Sequence, residues 1–274
     1  MKKILIFLLI VILLIPVTLW LCPRDPVILM YHFMRLKSET ETNQLAITSE
    51  TFRKQIHWLK AWHYKIYSLD ELYQIKIGKK KAQNGVVLTF DDGNRDFYTT
   101  VFPIIKNEKV PVASFLICDN LFHQTTGSMS VDEVKSLMRL SSLITFGVHT
   151  THHKALIGMG AEELHAEVTA CKEALEQALS IPMYYFAYPG GYLDDESIHE
   201  VKKAGFRLAF TTARRRLEGK KEGLDKLVRI KITEKDLNPL RFWIKVSGLW
   251  TALKHIKWTI VYHVPPKEDL AKLD

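Results

Sequence analysis

Two short stretches carry side chains whose types and spacing could do chemistry. Asp91-Asp92-Gly93 sets two adjacent carboxylates at the end of the run Val86-Val87-Leu88-Thr89-Phe90. His149-Thr150-Thr151-His152-His153 sets histidines four apart at the end of a second apolar run that begins at Ile144. Two carboxylates at the mouth of a buried strand are costly unless a cation or a reaction holds them. Histidines at this spacing can aim two imidazoles at one cation. With Asp92, His149 and His153 would form a two-histidine, one-carboxylate metal site that leaves positions open for water and substrate. His149 with His152 is the alternative pair. Asp91 and Asp92 acting as the paired acids of a glycosidase is a poorer reading, because adjacent residues seldom straddle a glycosidic bond at about 5–10 Å.

The elements that must position these groups alternate between strand and helix. Apolar, β-prone runs predict strands at Val27 to His32, Val86 to Phe90, Val110 to Ile117, Ile144 to His149, Tyr184 to Tyr188, Arg207 to Thr211 and Leu227 to Ile232. Between them, Phe52, Ile56 and Leu59 repeat at helical spacing behind a Thr48 or Ser49 cap, and Ser68 opens a second helix. Helices are also predicted over Asp132 to Leu140, Ala161 to Leu179 and Ile198 to Ala204. The Ala161 to Leu179 segment carries one stripe of Leu164, Val168, Cys171, Leu175 and Leu179. Strands alternating with helices predict a parallel sheet under helices, and about seven such units can close into a barrel. In that architecture functional groups gather at the C-terminal strand ends, where His32, Asp91, Asp92, His149, His153 and Pro189-Gly190-Gly191 all fall.

Composition narrows the partners. The chain has 274 residues, 47% hydrophobic and 25% charged, with a formal charge of +8. That charge suits an anionic membrane surface or cell-wall polymer, and no basic run interleaved with aromatics marks a nucleic-acid footprint. Cys22, Cys118 and Cys171 lie far apart without metal-knuckle spacing, and predict neither a zinc knuckle nor a disulfide framework.

The segments Thr89-Phe90-Asp91-Asp92-Gly93 and His149-Thr150-Thr151-His152-His153 resemble the first two motifs of the polysaccharide deacetylase family, over approximately Val27 to Ile232. The resemblance implies an α/β fold with a distorted (β/α)₇-type barrel and a divalent metal, zinc above all. It also implies hydrolytic N-deacetylation of an N-acetylated amino-sugar polymer. Carried over residue by residue, Asp91 is the general base, and Asp92, His149 and His153 are the metal ligands. Two positions depart from the family pattern. Where its third motif commonly reads Arg-any-Pro-Tyr-Gly, this chain has Ala187-Tyr188-Pro189-Gly190, without the arginine beside the base. Arg229 on the last strand is the candidate to orient the base instead, while Tyr188, Pro189 and Gly190 are candidates to line the substrate groove and offer an N–H to an oxyanion. The missing arginine also makes thinkable a cell-wall-binding protein that has lost catalysis. Second, the last strand lacks the histidine that many members use as general acid. In a closed barrel the first strand adjoins the last, so His32 could occupy that corner, as in the subgroup containing poly-N-acetylglucosamine deacetylases.

The two ends of the chain predict membrane contact. Lys2 and Lys3 precede an apolar run from Ile4 to Leu21, long enough at ~1.5 Å per residue to approach the hydrocarbon thickness. With no small-residue cut site before Cys22, residues 1–22 are read as an uncleaved anchor, with the remainder outside the membrane; a secreted protein after signal cleavage is the runner-up. Residues 26–235 form the deacetylase domain. Residues 236–274 form an amphipathic extension including Phe242, Trp243, Val246, Leu249, Trp250, Leu253, Ile256 and Ile260. This extension is expected to close the barrel, the alternative being a second, interfacial membrane contact.

Overall fold

The computed structural model describes residues 25–35, 37–40, 43–212 and 223–250. Seven parallel strands form a closed ring: β1 (Val27–Tyr31), β5 (Gly85–Phe90), β6 (Val112–Leu116), β7 (Ile144–Val148), β8 (Tyr185–Ala187), β9 (Leu208–Thr212) and β10 (Leu227–Lys231). The ring closes where β1 lies between β10 and β5, with Ile28 opposite Arg229 on one side and Val87 on the other. All seven expected strands are present, each within a few residues of its expected bounds.

Three strands were not legible in the sequence. β2 (Phe33–Met34) and β3 (Ala46–Ile47) pair as a small separate ribbon. β4 (Lys65–Tyr67) adds to the start of β5, with Lys65 opposite Gly85. These runs are two or three residues long, too short for a period-two pattern to register.

Strand parity builds the interior. Side chains alternate faces along a strand. One set, including Ile28, Val87, Ala113, Phe115, Tyr185, Ala187, Leu208, Phe210 and Leu227, packs together inside the ring. The opposite set, including Leu29, Tyr31, Leu88, Phe90, Phe146, Val148, Phe186 and Tyr188, packs beneath the helices. Continuing the inward parity upward leads from Ile28 to His32, from Val87 through Thr89 to Asp91, from Gly147 to His149, and from Leu227 to Arg229.

The helices carry their own start signals. Thr48 caps α1 (Ser49–Ala61), accepting from the Thr51 N–H. Ser68 and Glu71 form a capping box on α2 (Leu69–Lys76). Beyond β5 come α3 (Phe102–Glu108), the short α4 (Cys118–Phe122), α5 (Val131–Leu140), α6 (Ala161–Leu179) and α7 (Asp195–Lys203). The last described helix, α8 (Pro239–Val246), buries Phe242 against Trp58 and Trp62 of α1 and its C-cap. The described part of the C-terminal extension thus packs against α1; residues 251–274 lie outside the described residues. So does the apolar run from 4 to 21 on which the anchor expectation rests, and among the described residues no helix is long and apolar enough to cross a membrane.

One expectation is corrected. Cys118 and Cys171 form a disulfide with Cα atoms 5.8 Å apart. The 53-residue separation hid the pairing, because only the packing of α6 against the start of α4 brings the two sulfurs together.

Candidate active site

At the C-terminal mouth of the barrel a cleft of about 740 Å³ is lined by His32, Asp91, Asp92, His149, His153, Gly190 and Arg229, among others. The two adjacent carboxylates reach it by different routes. Asp91 keeps the inward parity of β5 and is held in place by its N–H, which donates to the Tyr31 carbonyl. Asp92 has already left the strand, with φ of 72°. Aspartate tolerates this left-handed conformation better than most residues, and the turn brings its side chain back over the mouth.

Arg229 lies wholly buried among the interior aromatics, 5.3 Å from the centre of the Phe115 ring. Its guanidinium grips Asp91 with two bonds, Nη1 to Oδ1 at 2.6 Å and Nη2 to Oδ2 at 2.7 Å, and also donates to the Thr89 hydroxyl at 3.2 Å. This fork-to-fork geometry is the strong form of a charge-assisted pair. Burial alone would raise the Asp91 pKa, but Arg229 and the neighbouring histidines hold it well below the usual carboxylate range. The chain thus has a cation beside Asp91 although Ala187 stands at the third motif's arginine position.

Asp92, His149 and His153 converge. Their candidate ligand atoms all lie within 4.8 Å of one another. Asp92 Oδ1 is 3.7 Å from His149 Nε2 and 3.4 Å from His153 Nε2, yet this buried oxygen makes no hydrogen bond. His149 Nδ1 meets the Ala187 carbonyl at 2.7 Å, which fixes Nδ1 as the protonated nitrogen and turns a bare Nε2 to the mouth. Burial lowers the His149 pKa against the pull of both aspartates, keeping the ring in the neutral form that a metal requires. Burial likewise raises the Asp92 carboxyl. A buried, unpartnered carboxylate oxygen facing two imidazole nitrogens is a donor set that fits a divalent cation of the zinc class.

The alternative ligand His152 does not converge. Its Nδ1 is 2.7 Å from Glu167 Oε1, and its N–H donates to Glu167 Oε2 at 2.9 Å. Sequence reading missed Glu167, although a signal existed: a glutamate beside Leu164, Val168 and Cys171 falls on the apolar stripe of α6.

His32 reaches the same cleft, its Nε2 3.9 Å from Asp91 Oδ2. Burial lowers its pKa to about 4, opposed by Asp91 and assisted by Arg229 and Lys231, so the ring rests neutral at neutral pH. Its buried Nδ1 has no hydrogen-bond partner.

The expected groove residues divide. Tyr188 has outward parity: its hydroxyl donates to the Asp225 carbonyl at 3.0 Å and its N–H to the Phe210 carbonyl at 2.9 Å. Tyr188 borders the cleft as expected, but its side chain is turned into the core and its amide is already engaged. Pro189 has no N–H, and Gly191 donates its own to the Tyr188 carbonyl. Gly190 remains, lining the cleft with φ of 62°. Gly191 at φ 77° could not carry a side chain, since a Cβ there would stand 2.6 Å from the Thr212 nitrogen.

Comparison with known proteins agrees with this geometry. The sequence profile of the family described as polysaccharide deacetylase matches residues 78–209. Poly-beta-1,6-N-acetyl-D-glucosamine N-deacetylase of Staphylococcus epidermidis is 27% identical over 186 residues, which is 64% of this chain and 64% of that relative's length. Among solved structures, Streptococcus pyogenes deacetylase PplD in complex with acetate superimposes with a TM-score of 0.72 at 24% identity, covering 82% of this chain and 99% of that one. IcaB from Ammonifex degensii gives 0.65 at 25% identity, covering 81% and 98%. The matched residues 78–209 span both motif-bearing strand ends, and over that stretch the chain is similar to the polysaccharide deacetylase family.

Proposed function

We propose that this protein removes acetyl groups by hydrolysis from the N-acetylated amino sugars of an extracellular or cell-wall polysaccharide. The observation that carries the reading is the Asp92–His149–His153 donor set standing beside an Asp91 clamped by Arg229, in one open cleft. Asp92, His149 and His153 would hold a divalent metal, zinc being the ion best matched to two imidazoles and a carboxylate. When bound, such an ion activates water and polarises the acetamide carbonyl.

The chain's own groups supply the proton traffic. Asp91, kept ionised by Arg229, accepts a proton from the attacking water as general base. Its low pKa makes it a poor place for that proton to stay. His32, resting neutral with Nε2 3.9 Å away, is placed to receive the proton and deliver it to the departing amine. The Gly190 N–H is the donor offered to the oxyanion. Acetate and a glucosamine unit leave. The missing motif arginine was the ground for a binding protein without catalysis; Arg229 in contact with Asp91 favours the enzyme.

The reading extends to location. The disulfide supports an oxidising compartment, and the run from 4 to 21 supports a membrane-anchored protein with its catalytic unit, residues 26–235, on the extracytoplasmic face. Sequencing the N-terminus of the mature protein separates this from a secreted form, which would begin near Cys22 or Pro23. Acetate release from β-1,6-linked N-acetylglucosamine oligomers, chitin oligomers and peptidoglycan, with and without a chelator, tests the activity. Chelator-sensitive release from at least one is expected. No release from any, with polymer binding retained, would replace the enzyme with a binding protein.

A further inference from the structure

We propose that the Cys118–Cys171 disulfide and the Glu167 carboxylate are positioning groups for the ligand loop, together holding residues 149–153 in the conformation that turns both His149 and His153 towards Asp92. The inference rests on the metal reading above, but its main readout does not.

The loop needs holding. Thr150 and His153 both occupy the left-handed region, at φ of 64° and 58°. Histidine tolerates this region better than most residues, but a β-branched residue such as Thr150 settles there only when the surroundings impose it. The surroundings are two helices. From the start of α4, the Cys118 N–H donates to the Thr150 carbonyl at 3.1 Å and the Asp119 N–H to the Thr151 carbonyl at 2.9 Å. From α6, the Glu167 carbonyl accepts the Thr151 N–H at 3.0 Å and the Ala166 carbonyl accepts the Thr151 hydroxyl at 2.6 Å. The Glu167 carboxylate, 2% exposed, takes both the N–H and the imidazole Nδ1 of His152. Every bond of this set runs to α4 or α6, and the disulfide is the covalent link between those two helices. Its Cys171 sulfur lies 3.2 Å from the Thr150 carbonyl oxygen, directly against the left-handed residue.

The consequence is directional. Bridge formation removes two protons and two electrons from the paired thiols, the electrons passing to a thiol–disulfide oxidant outside the protein. The loop is then strapped between fixed supports. In the dithiol form α4 and α6 can part, the bonds to Thr150, Thr151 and His152 lose their common frame, and His153 is free to swing from Asp92. The metal site would therefore reach full affinity only after the chain enters an oxidising compartment.

The test uses the full-length protein and follows two quantities. Backbone hydrogen exchange over residues 149–153 is measured in metal-free protein, and zinc affinity is measured by competition with a chromophoric chelator. A phosphine reductant serves for the wild type: it is oxidised to its oxide with oxygen from water, releases two thiols, and adds no competing thiol ligand. Reduced wild type, the Cys118→Ser/Cys171→Ser variant and Glu167→Ala should each exchange the loop at least about tenfold faster. Each should also bind zinc about 10–100-fold more weakly, the usual cost of removing a ligand's outer support. Glu167→Gln, which keeps the shape and one acceptor, should fall between. Leu72→Ala, in the barrel floor, controls for general destabilisation and should leave loop exchange and affinity within about twofold at equal loss of thermal stability.

Unchanged loop exchange on reduction and in Glu167→Ala would overturn the proposal. So would a change no larger than that of Leu72→Ala. Should the double serine variant not fold, reduction and Glu167→Gln carry the same comparison. If the oxidised wild type binds no zinc, the metal reading fails, while loop exchange still decides the positioning role.

Discussion

Asp91 and Asp236 are both buried carboxylates paired with a cation from the C-terminal part of the chain, and they are completed in opposite ways. Asp236 is saturated. Its Oδ2 accepts from Lys245 Nζ at 2.7 Å, the Thr233 N–H at 2.8 Å and the Thr233 hydroxyl at 3.0 Å, and its Oδ1 from Arg241 Nε at 2.9 Å. Asp91 has only Arg229 within hydrogen-bonding distance; the histidines nearest its Oδ2, His32 and His149, both stand back at 3.9 Å. Among the described residues five buried side-chain polar atoms lack a hydrogen-bond partner, and three surround this corner: Asp92 Oδ1, His32 Nδ1 and Arg229 Nε. At Asp236 both carboxylate oxygens are engaged. A corner that keeps unfilled valence within the same barrel is one that expects something else to fill it.

That contrast can be broken most directly at Asp92. Asp92→Ala should lose metal and fall to background acetate release together; full metal content in this variant would remove Asp92 from the site. Asp91→Asn comes next. It should retain metal while turnover drops by about 10²–10⁴-fold, as expected for a general base, and near-wild-type turnover would assign water activation to another group.

The structural half of the comparison predicts the reverse pattern. Asp236→Ala leaves Lys245 buried without its carboxylate and should cost about 3–5 kcal/mol of stability in a denaturant titration. The folded fraction should keep kcat within a few-fold. Because Lys245 and Arg241 also line the cleft, any kinetic change should fall on KM. A collapse of kcat without loss of stability would erase the distinction between the two carboxylates.

His32→Ala should bind metal normally and lose about 10²-fold in turnover, most for substrates with the poorest leaving amine. A loss independent of the leaving group, and matched by lost stability, would make His32 structural. The smallest effect lies outside both clusters. Asp96 accepts the Met34 N–H at 2.9 Å and pairs with Arg35, but burial outweighs both and pushes its pKa up to about 6. A folded pKa above the unfolded one adds stability that is complete below the ordinary carboxylate range and lost as pH rises through about 6. Asp96→Asn should therefore gain on the wild type by about 2–3 kcal/mol between pH 4 and pH 7.5. A constant difference across that range would show that Arg35 controls this carboxyl instead.

Much of this molecule was legible in advance. The ring strands announced themselves as apolar runs, and the caps at Thr48 and Ser68 marked their helices. Period-two alternation explains why Asp91, His149 and Arg229 point inward, and it also shows why Tyr188 could not: it shares parity with Phe186, on the outer face of β8. Tyr188 still borders the cleft as the motif led one to expect, but the pleat turns its side chain away.

What the chain determines by itself is local: which side chains alternate inward, where strands end on Asp91 and His149, and which residue types stand ready for a metal. Tertiary structure decided everything that depends on which distant residues meet. Arg229 reaches Asp91 across 138 positions only because the barrel closes β10 onto β1 and β1 onto β5. Glu167 draws His152 away and leaves His153 facing Asp92 because α6 lies under the loop. Cys118 finds Cys171 for the same reason. Periodicity and capping are short-range consequences of backbone geometry, whereas ring closure and helix docking are set by the summed packing of the whole core, which no single stretch encodes.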